Sequence, residues 1–383
     1  MASSRSKSGT SKSPAPDAGV GTTRKRKRVT IMDVAHEAGV SIAAVSRILN
    51  NSYEGFSARE ETKQRVYEAV RKLNYKANRA AVRLATGRHQ AIALCYPEYG
   101  ARGEPLDTSS IDVIFGQLSQ MLQIRGVSRG AAEANLDLVL MMRGAGRTVD
   151  DVLQQASESV DGIVYVNPED DSKLFKKLET SNVPIAVVGP AALPSGRFCS
   201  VRVDEFTAGR MAMGHLIVAG ARRIVVAIPE SQKHEVAIVR RLEGIKKVVE
   251  TYSDPSLGYD IVELPLDMNL AKATFMNHVG RWGKPDGVLT LGGILPFAVM
   301  RALQEERMKV PDDVKVVGFD ENPLYQLNDP PLTGLRYPVE EMCRKAVDQL
   351  ISQVRTGETP APVLMSPKMI ARRSSEAPFT PLY

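Results

Sequence analysis

Between Val29 and Asn50 the sequence VTIMDVAHEAGVSIAAVSRILN sets small and hydroxylated residues just ahead of an arginine. Ser41 and Ser46 can hydrogen-bond a phosphate or a base edge, Ile42 and Ala43 can pack on a thymine methyl, and Arg47 can fork onto guanine O6 and N7. Presented together on one helix, these groups would read the major groove of a duplex. Elsewhere the residues with chemical potential are dispersed. His36, His89, His215, His234 and His278 lack metal-ligand spacing, and Cys95, Cys199 and Cys343 form no CxxC pair. Gly292-Gly293 has no phosphate-loop sequence around it and reads as a backbone turn. Neither a metal site, a cofactor nor an enzyme is expected.

Periodicity supplies the elements that must hold the groove-reading set. Ile31, Val34, Ala35 and Ala38 follow helical spacing, with Thr30 as N-cap and Asp33 as its capping partner. Gly39 ends that helix. Ser41 can cap a second helix with Val45, Ile48 and Leu49 inward, and a third from Ala58 to Asn74 carries Val66, Ala69, Val70 and Leu73 as a facing stripe. A helix, a glycine turn and a second helix at this spacing predict a helix-turn-helix.

After Arg88 short apolar runs alternate with helix-length amphipathic stretches. Ala91 to Tyr96, Leu138 to Met142, Ile163 to Val166, Ile185 to Val188, Ile224 to Ile228, Ile261 to Leu264, Val288 to Leu291 and Val314 to Phe319 read as buried parallel strands. Between them, Ile111 to Asn135, Glu205 to Ala219, Glu235 to Tyr252 and Leu295 to Arg307 read as helices. Such alternation predicts an α/β chain with doubly wound parallel sheets, divided into two lobes with a ligand cleft between them. His215 is expected on a helix packed on a sheet, and Trp282 at a helix end near the surface.

Charge is distributed unevenly. Residues 1–28 hold eight Lys or Arg against one Asp, residues 29–88 hold ten against six acids, and the whole chain is only +6. A positive front end seeks phosphate, and the remainder is ordinary soluble protein. Met1 to Gly21 has almost no bulky apolar residue and reads as a disordered tail closed by Arg24-Lys25-Arg26-Lys27-Arg28. That run would be a flexible arm on DNA in a bacterium and a nuclear import signal in a eukaryote. The longest unbroken apolar run is Ala91 to Tyr96, too short to span a bilayer, and the N-terminus lacks a signal-peptide core. A cytoplasmic, reducing location is expected.

Taken together, Val29-Thr30-Ile31, Asp33-Val34-Ala35, Ala38-Gly39-Val40-Ser41, Val45-Ser46-Arg47, Leu73-Asn74-Tyr75 and Asn78-Arg79-Ala80-Ala81 running to Leu84 resemble the LacI/GalR family of bacterial transcription regulators. Core matches include Gly126-Val127, Asp204 with Gly209, His215-Leu216, Arg241 with Gly244, Val316 to Asp320 and Pro330 to Thr333. The resemblance implies a helix-turn-helix headpiece on a two-lobed, periplasmic-binding-protein-like core, acting as a homodimer on palindromic operator DNA. It adds Thr30, Asn50, Asn78, Ala81 and Leu84 to the DNA-binding set, with Leu84 as a minor-groove wedge on a hinge helix that forms on DNA. It also assigns Arg241 to effector binding, and Asp320, at a strand end facing the cleft, joins it.

Guanidinium and carboxylate together suit a sugar-like or anionic small molecule. The chain departs from the family pattern at Ala44, at Ala77, at Ala237, at Gly292-Gly293 and at Met121-Leu122, which replaces an aromatic pair; Phe115 is a candidate to refill that wall. The expected division is a tail at 1–28, a DNA-binding domain at 29–76, a hinge at 77–88 and a core at 89–383. Lobe one would hold about 89–189 plus 336–357, and lobe two about 190–335 plus 358–376. The expected function is a ligand-responsive repressor. The alternatives are a cytoplasmic binding protein or an enzyme on the same core, with a vestigial headpiece.

Overall fold

The computed structural model describes residues 29–50, 58–75, 87–96, 111–142, 148–168, 172–189, 198–252 and 254–375. The chain divides into two compact units at residues 86 and 87.

In the first unit, α1 (Ile31–Ala38), α2 (Ile42–Asn50) and α3 (Glu60–Lys72) form a three-helix core. The Thr30 hydroxyl donates to Asp33 Oδ2 at 2.8 Å, and the backbone N–H groups of Thr30 and Asp33 each donate to the other residue's side chain. This reciprocal box satisfies donors that a helix start otherwise leaves to water. Gly39 stops α1 at φ 63°, a left-handed conformation in which a side chain would be strained. Val34, Val45 and Val66 pack at the centre with no exposed surface, surrounded by Ala35, Ala38, Ile48 and Ala69. Helix α3 begins at Glu60, two residues later than the apolar stripe suggested.

The second unit holds two six-stranded sheets. Lobe one contains β1 (Ala91–Tyr96), β2 (Asp137–Met142), β3 (Gly162–Val166), β4 (Ile185–Val188), β5 (Cys199–Val203) and β11 (Val363–Met365), in the order β11-β5-β4-β3-β1-β2 and parallel throughout. Lobe two contains β6 (Arg223–Pro229), β7 (Gly258–Leu264), β8 (Gly287–Thr290), β9 (Lys315–Gly318), β10 (Thr333–Arg336) and β12 (Lys368–Ile370), in the order β12-β10-β9-β8-β6-β7. There only β12 runs antiparallel. Every residue of β1, β3, β4 and β8 is buried, because helices cover both faces of a doubly wound sheet.

The chain crosses between the lobes at Asp204, at Tyr337-Pro338 and at Ser366-Pro367. This corrects the expected lobe limits: Cys199–Val203 and Val363–Met365 belong to lobe one. Strand β5 pairs with β4 and β11 pairs with β5, so each crossover comes only after its strand is complete.

Lobe two opens with α7 (Glu205–Val218), which follows α4 (Ile111–Glu133), α5 (Val149–Ser159) and α6 (Ser172–Glu179) of lobe one. It crosses α8 (Val236–Thr251) very closely. A Cβ on Gly209 would lie 2.0 Å from the Arg241 carbonyl oxygen, and one on Gly244 would lie 2.1 Å from that of Phe206. Two glycines therefore let the helix backbones touch, and they set Glu205 and Arg241, about one turn away on each helix, against one another. The remaining helices are α9 (Met268–Trp282), α10 (Leu295–Glu305) and α11 (Val339–Thr356), the last returning to lobe one. Trp282 ends α9 with the Arg223 guanidinium 5.4 Å from its ring centre.

His215 lies on α7, buried, with Nε2 2.7 Å from the Ser375 hydroxyl. Burial pushes its pKa down from 6.5 to about 4. The unfolded chain thus binds the proton more readily, and stability from this group is present above pH 6.5 and is lost as pH falls toward 4. Between pH 7 and pH 4 the wild type should lose about 3 kcal/mol more than His215→Gln. Urea unfolding followed by the fluorescence of Trp282 measures this, and equal losses in the two proteins would contradict it.

Candidate functional site

Helix α2 carries the residues expected to read the groove. Ser41 caps the helix, its Oγ accepting from the Ala44 N–H at 3.1 Å. With Val45 and Ile48 turned inward, Ser41, Ile42, Ala43 and Arg47 are exposed and Ser46 is half-buried. Ile42 is 46% exposed, a large apolar side chain held in solvent at a helix start. Thr30 is exposed, but its hydroxyl is engaged in the capping box. Asn50 closes α2, with its side chain outside the described residues, as are Asn78, Ala81 and Leu84.

The second site is a cavity of about 480 Å³ between the lobes of the core. Both sequence-derived effector residues line it. Arg241 is 6% exposed, and its guanidinium is already engaged. Nε donates to Glu205 Oε2 at 2.8 Å, Nη2 to Glu205 Oε1 at 3.3 Å, and Nη1 to the Leu291 carbonyl at 2.9 Å. The rings of Phe319 and Tyr337 lie 4.7 and 5.5 Å from the guanidinium carbon. The Tyr337 hydroxyl donates to Glu205 Oε2 at 2.9 Å. Burial works against the charged guanidinium, but Glu205, Tyr337 and Asp320 outweigh it and hold Arg241 well above its ordinary pKa.

Asp320 follows β9 with φ 59°, a left-handed conformation uncommon for a side-chain-bearing residue and frequent at binding sites. Its side chain is 41% exposed and its Oδ1 lies 3.9 Å from Arg241 Nη2. Enclosure by protein raises the Asp320 pKa; Arg241 lowers it and Glu205 raises it further.

Sequence reasoning misses three residues of this site. Glu205 reads there only as a helix start, Tyr337 only as part of the 336–357 segment of lobe one, and Gln123 carries no signal of its own. Gln123 is 3% exposed and lines the cavity, whereas Met121 and Leu122 beside it are 58% and 38% exposed and lie outside the lining. The wall expected of the Met121-Leu122 pair is thus supplied by a polar neighbour. The Phe115 side chain lies outside those described. Ala237 lines the cavity, and Gly292 approaches Pro229, where a Cβ would come within 2.6 Å of the ring. The segment Gly126-Val127-Ser128-Arg129-Gly130 spells a GxSxG sequence that the motif reading overlooks. It runs through the middle of α4, whereas a nucleophile elbow requires a sharp strand-to-helix turn.

A helix-turn-helix headpiece on a two-lobed core with an enclosed cleft defines a DNA-binding regulator built on a small-molecule-binding fold. Residues 30–78 match the bacterial regulatory proteins of the lacI family, and residues 213–375 match the periplasmic binding protein-like domain. The regulator CelR of Thermobifida fusca is 29% identical over 346 residues, spanning 88% of this chain and 95% of CelR. MalR of Streptomyces coelicolor is 29% identical over 360 residues, spanning 90% and 96%. Among solved structures, a CelR–cellobiose complex superimposes with a TM-score of 0.63 at 24% identity, covering 91% of this chain and all of that one. A lac repressor dimer bound to operator and the anti-inducer ONPF gives 0.65 at 20% identity, covering 92% and 100%. The chain thus carries the DNA-binding domain of the lacI family of bacterial regulatory proteins together with a periplasmic binding protein-like domain, the combination that its regulator relatives share.

Proposed function

We propose that the protein is a ligand-responsive repressor that binds a palindromic operator as a homodimer, and that a small molecule in the interlobe cleft sets its operator affinity. The observation that carries this reading is the exposed set Ser41, Ile42, Ala43 and Arg47 along α2, in a chain that also holds a cavity around Arg241 and Asp320. Ser46 and Thr30 add phosphate or base contacts; Asn50, Asn78, Ala81 and the Leu84 wedge complete the set by family resemblance. The protein acts in the bacterial cytoplasm, on the nucleoid, without catalysis. Among the described residues no helix is long and apolar enough to cross a membrane.

Self-association has a physical basis in two of the four sheet edges. Strands β2 and β7 are the terminal strands of their sheets, and each carries an exposed apolar residue, Leu140 at 52% and Ile261 at 40%. A second copy covering both edges would remove these from water. Within the cleft, Glu205 follows the first crossover and Tyr337 lies in the second, so a ligand that competes for Arg241 acts directly on the segments about which the lobes turn. A coupling of about 1 to 3 kcal/mol would change operator affinity roughly 5- to 150-fold.

The reading is tested by selecting bound genomic fragments with the full chain near physiological salt and then titrating the recovered site against random DNA. A specific site bound at least about a thousandfold more tightly is expected; equal affinity for both would overturn the reading. Removing residues 1–28 should flatten the dependence of log affinity on log salt by roughly one unit for each phosphate that the arm neutralises. An unaltered slope would exclude the basic arm from the complex.

A further inference from the structure

We infer that the cleft ligand is a hydroxylated amine, such as an amino sugar, in which a protonated nitrogen faces Asp320. This rests on the cleft being the effector site and adds the chemical class of the effector. Three carboxylates, Glu205, Glu235 and Asp320, line the cavity among the described residues, against one guanidinium, Arg241. Glu205 consumes most of that guanidinium: two of its N–H groups go to the Glu205 carboxylate and one to the Leu291 carbonyl. One N–H on each of Nη1 and Nη2 is left for a ligand, enough to hold a hydroxyl or ring oxygen. Such a remainder does not neutralise a bound anion as a free arginine would, and the anionic half of the sequence expectation loses its support.

The acceptors outnumber these donors. Asp320 keeps a carboxylate that is 41% exposed toward the cavity, with Arg241 only at 3.9 Å. Gln123, 3% exposed in the cavity wall, has an Oε1 without a hydrogen-bond partner, while its Nε2 reaches Ser119 Oγ at 3.5 Å. A buried amide oxygen left without a donor is costly, and here it belongs to a cavity that a donor-bearing ligand would fill. Excess negative charge, an orphaned acceptor and two spare N–H groups together select a ligand rich in donors, positively charged, and carrying at least one oxygen. The volume of about 480 Å³ suits a molecule of one or two sugar rings.

The test uses the whole chain and sugars that share a ring and differ in the charge of one substituent: glucosamine, glucose and glucuronate, their galactose counterparts, and fully deacetylated chitobiose against cellobiose, each titrated by calorimetry. The amine of at least one set should bind about tenfold or more tightly than its neutral twin, and the uronate should bind weakest. Asp320→Asn should abolish that preference. Tighter binding of the neutral or anionic member, absence of binding by every amine, or a preference unchanged in Asp320→Asn would each overturn the inference. Operator selectivity is measured on the same preparations. Its loss in the wild type would sink the regulator reading instead, and leaves the charge ranking standing on its own result.

Discussion

Replacing Glu205 with Ala is expected to destabilise the core by about 3 to 5 kcal/mol, the effect of removing one partner from a buried ion pair. Arg241 is 6% exposed and Glu205 8% exposed, so the guanidinium left behind would lose both of its hydrogen bonds to a carboxylate and keep only Asp320, at 3.9 Å, as an acidic neighbour. Tyr337 would lose its acceptor as well. Urea unfolding followed through Trp282 provides the measurement. The double variant Glu205→Ala with Arg241→Met should recover much of the loss, because no buried charge then remains uncompensated. A loss under about 1 kcal/mol in the single variant would mean that solvent in the cleft reaches the guanidinium and that the pair is not a structural tie.

Arg47→Ala should weaken operator binding by about 1 to 3 kcal/mol, roughly 5- to 150-fold, and leave binding to random DNA nearly unchanged. The residue is exposed on the turn following Ile42 and Ala43, and it contributes little to the headpiece core. Folding is therefore not the quantity at risk. Fluorescence anisotropy on selected and scrambled duplexes separates the two effects. An equal drop on both duplexes would make Arg47 a phosphate contact without sequence information.

Legibility in the sequence followed physical strength. The Thr30–Asp33 box and the Gly39 stop are local signals, read from residues a few positions apart, and both are present in the structure. The eight apolar runs all became strands because each is buried on both faces or lies along a sheet edge. Four strands escaped. Cys199–Val203 interleaves serine and arginine with its apolar residues, Thr333–Arg336 contains a glycine, and Val363–Met365 and Lys368–Ile370 are three-residue strands at the ends of their sheets. The three-residue strands are too short for a periodic signature, and the apolar–polar alternation of Cys199–Val203 is passed over when only unbroken apolar runs are taken as strands, so the lobe limits are misplaced with them.

The same distinction governs the cleft. Arg241 and Asp320 were identified through a resemblance and a strand end. Glu205 was not, because an acid in the first turn of a helix already has a local explanation in the helix dipole. Its pairing with Arg241 depends on the Gly209–Gly244 crossing, a relation between residues far apart in the chain. Gln123 needed the three-dimensional cavity to be seen.

The interleaving of the two lobes has a consequence for how the protein is born. Strand β11 at Val363–Met365 completes one sheet and β12 at Lys368–Ile370 the other, so neither lobe is whole until these two strands have been made. The headpiece core is closed upon itself by residue 75 and can form before either lobe is complete. A frameshift ahead of residue 363 therefore takes a strand from each of the two sheets at once.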